Sequence, residues 1–104
     1  MNKFGIAKQS FNYIIESLGL YKEIEQAIIF GSRSIGNYKK GSDIDLSIIG
    51  ENVTDKTVLS LSTRLNQELP IPYYFDIINH QSIDNRQLKK HIDQFGTEIY
   101  NTKI

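Results

Sequence analysis

The chain has 104 residues, enough for one compact domain with a modest core, so we predict a single domain over residues 1–104. Its 12 basic residues balance 12 acidic ones, which disfavours nucleic acid and membrane surfaces as partners. With no cysteine it has no disulfide, zinc-thiolate site or thiol nucleophile, and no apolar run approaches membrane-spanning length. We therefore expect a soluble, cytoplasmic protein.

The first predicted elements are a helix and a strand. Apolar residues with helical spacing predict a helix from about Lys8 to Leu18, and Gly19 is a plausible stop. The residues that form its apolar face are Phe11, Ile14, Ile15 and Leu18. After a polar connection, the apolar run Ala27–Phe30 predicts the first strand.

The strand runs directly into a glycine turn. Gly31 and Ser32 follow it where a short helix would begin. Glycine lets the backbone approach an anion closely, and N–H groups at a helix start favour negative charge. This turn is therefore a candidate phosphate site. The polar segment 37–42 that follows is a predicted loop, whose lysines either help to neutralise a triphosphate or are simply solvated.

A second strand, predicted from about Asp43 to Ile49, carries two acids. On the strand period of two, Asp43 and Asp45 share one face, while Ile44, Leu46 and Ile48 share the other and point to a core. Neighbouring carboxylates repel one another, and a divalent cation removes the conflict. Mg²⁺ suits this site because it takes one or two carboxylates together with substrate phosphates.

The second half of the chain supplies two further helices and a third strand. Thr54 is a plausible N-cap of a helix that ends before Pro70 and buries one stripe, and a helix capped by Ser82 or Asp84 comes last. The residues of the buried stripe are Val58, Leu61, Leu65 and Leu69. Between these helices, Tyr73–Ile78 is a β-rich run with Asp76 as its lone charge. A lone strand carboxylate needs a partner or an exposed edge.

Strands near residues 27, 43 and 73, separated by helical segments, predict an α/β (α+β) fold. We expect a small mixed sheet with helices packed on one face.

The glycine turn and the two acids of the second strand together resemble the motif of a known family. Gly31-Ser32, ten intervening residues and Asp43-Ile44-Asp45 match the G-S-x10-D-x-D pattern of the DNA polymerase β-like nucleotidyltransferases. The resemblance is strongest to their smallest members, the minimal nucleotidyltransferase (MNT) domains that are paired with HEPN-domain proteins. It covers most of the chain and implies a palm-like fold whose open sheet face is the active surface.

The resemblance also implies roles for individual residues. Asp43, Asp45 and Asp76 are the implied catalytic and metal-binding carboxylates for two Mg²⁺ ions, with ATP as substrate. Candidate contacts to the nucleotide come from the turn and from the loop before the second strand. They are Gly31, Ser32, Arg33 and Ser42.

Several polar residues near these motifs have two interpretations. Arg33 either contacts a phosphate or lies on the surface, and Ser34 caps the short helix or contacts ligand. We expect His91, which lies among charged helix residues, to be solvent-exposed. His80 follows the Asp76 strand and is close enough in sequence to approach the site, but we do not expect it to be catalytic.

The implied function is transfer of AMP from ATP to a hydroxyl, with a tyrosine of a HEPN toxin as the acceptor and this chain as the antitoxin. The larger relatives carry a substrate-binding domain for which 104 residues leave no room, so the acceptor surface is expected on a partner. Two alternatives stay open. One is a subunit that neutralises its partner by contact alone, and the other is an aminoglycoside-type enzyme completed by a partner subunit.

Overall fold

The computed structural model describes residues 2–103. Its helices are α1 (Lys8–Gly19), α2 (Ser32–Ile35), α3 (Asp55–Thr63) and α4 (Arg86–Phe95). Its strands are β1 (Gln26–Phe30), β2 (Ile44–Ile49), β3 (Phe75–Asn79) and β4 (Thr97–Asn101). A π-helical turn, Arg64–Glu68, extends α3, and a 3₁₀ turn, His80–Ser82, follows β3.

The four strands form one mixed sheet in the order β3-β2-β1-β4. Strand β1 pairs antiparallel with both β2 and β4, whereas β2 and β3 run parallel. The predicted α+β class with a small mixed sheet is therefore confirmed. No helix between Asn2 and Lys103 is both long and apolar enough to cross a membrane.

Alternation along β2 defines the core face of the sheet. Ile44, Leu46 and Ile48 are fully buried there, as predicted, together with Ala27 and Ile29 of β1. Helices α1 and α3 cover this face. Their buried residues include Ile14, Leu18 and Leu61, and Leu65 of the π-helical turn joins them.

The N-cap residues of α3 and α4 can be compared with the predicted ones. Thr54 is the N-cap of α3, as predicted, and its N–H donates to Oγ1 of Thr57 at 3.3 Å. Helix α4 is capped by Asn85 and not by Ser82 or Asp84. The Asn85 side chain accepts from the N–H groups of Gln87 and Leu88 at 3.0 and 3.1 Å, which satisfies two donors of the first turn.

The position of α4 differs from the expectation that helices pack on one face. Ile92 of α4 is buried outside the main core, and the His91 ring lies edge-on to Phe30. Gly96, at the end of α4, has no room for a Cβ beside Ile28. Because Ile28 and Phe30 alternate with the core residues of β1, α4 lies across the opposite face of the sheet, beside the predicted acids.

Strand β4 was not predicted. Its register on β1 shifts between Ala27 and Ile28, and its residues are half-buried or exposed. Backbone pairing with β1 therefore holds this strand, and its side chains carry little of the alternating pattern that marks β2.

Candidate active site

The three predicted carboxylates lie at one end of the parallel strand pair. Asp45 of β2 and Asp76 of β3 occupy the same register position, so their side chains leave the sheet next to each other. Asp43 lies in the loop one residue before β2 and not in the strand as predicted. Asp45 is half-buried, whereas Asp43 and Asp76 are exposed.

This clustering has an electrostatic consequence at Asp45. Burial, reinforced by the negative charges of Asp76 and Asp43, raises the pKa of Asp45 to about 6, and the nearby His91 opposes the shift. The ionised carboxylate is thus destabilised where it stands. A bound cation would offset both the burial and the repulsion.

The donor chemistry of this cluster fits Mg²⁺, since carboxylate oxygens are the ligands that this hard ion prefers. No three His, Cys, Asp or Glu side chains between residues 2 and 103 stand close enough to hold an ion by themselves. That geometry is compatible with Mg²⁺, which keeps several waters and takes further oxygens from substrate phosphates.

The glycine turn lies directly against Asp45. Gly31 has φ 75° and ψ −155°, a conformation that is essentially restricted to glycine, and a Cβ there would overlap Oδ2 of Asp45. Gly31 is also the N-cap residue of the single-turn helix α2, and its carbonyl accepts from the N–H groups of Ser34 and Ile35. The predicted phosphate turn and the central carboxylate are therefore neighbours.

Arg33 is not available to a nucleotide, contrary to one of its two predicted roles, nor is it on the surface. Its side chain is 1% exposed, and its guanidinium donates to the backbone carbonyls of Phe4, Gly5, Lys40 and Ser42. Ser34 likewise has another partner, because its hydroxyl donates to the carbonyl of Phe95.

Ser42 remains beside the site. Its hydroxyl accepts from the Lys39 N–H at 2.8 Å, and it immediately precedes Asp43. That bond leaves the hydroxyl proton of Ser42 free to donate.

His91 is the residue that sequence reasoning missed. Its Nε2 accepts from the Gly31 N–H at 3.3 Å, so a neutral His91 carries its proton on Nδ1. Its ring contacts Phe30 and Phe95, with centroids 6.4 and 5.5 Å away. The prediction that His91 is solvent-exposed is wrong. Its i, i+4 spacing to Phe95 was the available signal.

His80 lies further along the same face. Its Nδ1 is 3.0 Å from Oγ of Ser47, a fully buried serine two residues beyond Asp45 on the carboxylate-bearing side of β2. His80 therefore approaches the region of the site, as its place in the sequence suggested, and is paired with Ser47.

One known protein family matches most of this chain. The family described as polymerase beta, nucleotidyltransferase matches residues 12–104, which include the turn and all three carboxylates. The chain belongs to the polymerase β nucleotidyltransferase family. No curated protein shows significant similarity to it.

Solved structures with the nucleotidyltransferase fold include antitoxins. A toxin-antitoxin complex with AMP-PNP has a chain 22% identical to this one, with a TM-score of 0.72 over 89% of this chain and 74% of that one. A complex of MNT antitoxin with tri-AMPylated HEPN toxin from Shewanella oneidensis gives 19% identity and a TM-score of 0.67, over 92% and 73% of the two chains.

A third similar structure is a putative nucleotidyltransferase from Sulfolobus solfataricus. It has 15% identity and a TM-score of 0.59, over 99% of this chain and 92% of that one. At these identities the similarity establishes the nucleotidyltransferase fold. It leaves the acceptor to be argued from the site.

Proposed function

We propose that this nucleotidyltransferase moves AMP from ATP to a tyrosine hydroxyl of a HEPN-domain partner and thereby acts as its antitoxin. One observation carries the proposal: Asp45 and Asp76 share a register position, and Asp45 packs against the Gly31 turn. A carboxylate pair next to a phosphate-sized turn suits phosphoryl-group chemistry, in which catalysis depends mainly on positioning and charge neutralisation.

The solved relatives support the choice of nucleotide and acceptor. One of them was solved with AMP-PNP, and another is an MNT antitoxin bound to a tri-AMPylated HEPN toxin. We extend to this chain the reaction that these complexes suggest.

The reaction needs no nucleophile from this chain. The tyrosine oxygen forms a bond to the α-phosphorus of ATP, the bond between that phosphorus and the bridging oxygen breaks, and pyrophosphate leaves. Asp76, the exposed member of the pair, accepts the hydroxyl proton and passes it to solvent. The Gly31–Ser32 turn and the Ser42 hydroxyl hold the phosphates for in-line attack.

Asp43, Asp45 and Asp76 would hold the two Mg²⁺ ions that we propose. Ions held there would supply charge neutralisation for the phosphates and would lower the pKa of the attacking hydroxyl. A bound cation would stabilise the ionised form of Asp45 most, since burial and the neighbouring acids disfavour the charge of this residue.

The test is label transfer with a matched control. The protein is incubated with Mg²⁺, ATP labelled at the α-phosphate and the HEPN-domain protein that co-purifies with it. We expect the partner to gain label, Asp43→Asn and Asp45→Asn to abolish the transfer, and Asp93→Asn, on the exposed side of α4, to leave it unchanged. Label at the γ-phosphate should appear in pyrophosphate only.

Two results would replace this proposal. A stable complex without transfer, in a buffer where an active relative does transfer, would favour neutralisation by contact alone. Transfer that depends on a small hydroxylated compound, with no label on the partner protein, would favour an aminoglycoside-type enzyme.

A further inference from the structure

Arg33 is a buried cation that the proposed chemistry does not use. It directly follows Ser32 of the phosphate turn, and only 1% of its surface is exposed. Within residues 2–103 no carboxylate lies within ion-pairing distance of its guanidinium. Arginine is almost never fully buried unless it is paired, so another set of interactions must offset the loss of hydration.

Backbone carbonyls replace the missing carboxylate. The carbonyl of Ser42 accepts from both Nε and Nη2 of Arg33, at 3.0 and 2.8 Å, and the Lys40 carbonyl lies 3.4 Å from Nη2. Nη1 donates to the carbonyls of Phe4 and Gly5 at 2.9 and 3.3 Å. All five N–H donors of the guanidinium are thereby used.

Two aromatic rings complete the environment. The guanidinium carbon of Arg33 lies 5.1 Å from the ring centroid of Tyr38 and 4.8 Å from that of Tyr73, both within cation–π range. Tyr38 also packs against Gly5 so closely that a Cβ there would overlap its ring. The arginine therefore joins three separate segments, which are residues 2–7, the loop 36–43 and the segment that precedes β3.

The sequence positions of these contacts connect the two halves of the site. Ser32 and Arg33 are adjacent, and so are Ser42 and Asp43. A hydrogen bond from the Arg33 side chain to the Ser42 carbonyl thus ties the phosphate turn to the first metal-site carboxylate. The loop between them has few other constraints, of which two are the Lys39–Ser42 hydrogen bonds.

We propose that Arg33 is a positioning residue: it fixes the loop 36–43, and with it Asp43, relative to the Gly31–Ser32 turn. Its effect on catalysis rests on the proposed function, while its effect on the loop does not. Lysine cannot replace it, because a single ammonium lacks the planar fork that reaches carbonyls on opposite sides.

The experiment compares Arg33→Lys and Arg33→Met with Arg64→Met at a temperature where every variant is folded. Arg64 is a matched control, since Nε of this half-buried arginine donates to Ser17 on α1, away from the carboxylates. Amide hydrogen exchange of residues 38–44 is measured on each protein. The kcat and KM of label transfer are then measured over a range of Mg²⁺ concentrations.

Loss of the Arg33 hydrogen bonds should make the loop 36–43 more mobile and displace Asp43. In both Arg33 variants we expect loop exchange to be at least about tenfold faster and kcat about 10–100-fold lower, because misplacement by 1 Å has costs of that order. The KM for ATP should change less than about threefold, and half-maximal activity should need more Mg²⁺. Arg64→Met should match the wild type in both measurements.

The two proposals fail in different ways. Unchanged hydrogen exchange of the loop in folded Arg33→Lys would overturn the proposal that Arg33 fixes the loop, even if Arg33→Met does not fold. Faster exchange with an unchanged kcat would make Arg33 a purely structural residue and overturn its positioning role. If the wild type transfers no label, the proposed function fails, and hydrogen exchange alone decides whether Arg33 fixes the loop.

Discussion

The carboxylate of Asp45 packs directly against the Cα of Gly31, in the space that the Cβ of any other residue would occupy. A Cβ built on Gly31 would overlap Oδ2 of Asp45, and the φ of 75° would strain any L side chain in addition. The turn and the acid therefore constrain each other, since the glycine is what lets the carboxylate reach the turn.

Substitution of Gly31 by alanine should damage both stability and activity. We expect a loss of about 1–3 kcal/mol of unfolding free energy from the backbone alone, and more from the displaced carboxylate. Gly36→Ala is the control for positive φ alone, because Gly36 lies in the left-handed helical region, with φ 86° and ψ 4°, and its Cβ would meet open space. Urea unfolding and label transfer check this. Equal effects of the two substitutions would show that the Asp45 contact is unimportant.

The raised pKa of Asp45 predicts how stability depends on pH. Its pKa is about 6 in the folded protein and about 3.9 in an unfolded chain, so between these values the unfolded state loses its proton first. Asp45 therefore lowers stability as pH rises from about 4 to 6, and the penalty stays constant above that.

Asp45→Asn should remove this penalty. In metal-free buffer at pH 8 we expect it to raise the unfolding free energy by about 1–2 kcal/mol, a value reduced for solvent screening of a half-buried group. At pH 3 the gain should vanish. Thermal unfolding at the two pH values measures it, with the exposed Asp93→Asn as control. A gain of the same size at both pH values would contradict the burial argument.

The hydrogen bond from Gly31 N–H to His91 predicts a difference between two His91 variants. His91→Phe keeps the ring against Phe30 and Phe95 but leaves the Gly31 donor without its acceptor, at a cost of about 1–3 kcal/mol. His91→Gln offers a replacement oxygen and should lose less. Melting temperatures and kcat of both variants test this, and a Gln variant no better than Phe would count against the bond.

Asn66 should stabilise the strand that carries Asp76. Its Oδ1 accepts from the Phe75 N–H at 2.8 Å and its Nδ2 donates to the Phe75 carbonyl at 3.1 Å, so one side chain satisfies both backbone groups at the start of β3. Asn66→Ala should cost about 1–3 kcal/mol by leaving them unpaired. Asn37→Ala, in the exposed loop, should be neutral in the same urea titration.

Elements with local signals could be predicted from the order of residues alone. Alternation placed Ile44, Leu46 and Ile48 in the core, helical spacing located α1, and the G-S-x10-D-x-D pattern indicated the nucleotidyltransferase family. Such signals can be read from the sequence because a period of two or 3.6, and a fixed spacing between motifs, do not depend on the tertiary contacts.

Contacts between distant segments became visible only in the folded chain. Strand β4 depends on backbone pairing with β1, and α4 turned out to cover the carboxylate face, which brought His91 to Gly31. Arg33 was buried by carbonyls from segments far apart in sequence, and no local pattern encodes such contacts. Burial and long-range hydrogen bonds are properties of the folded chain, so a charged residue's neighbours in sequence cannot tell whether it binds a ligand or holds the scaffold.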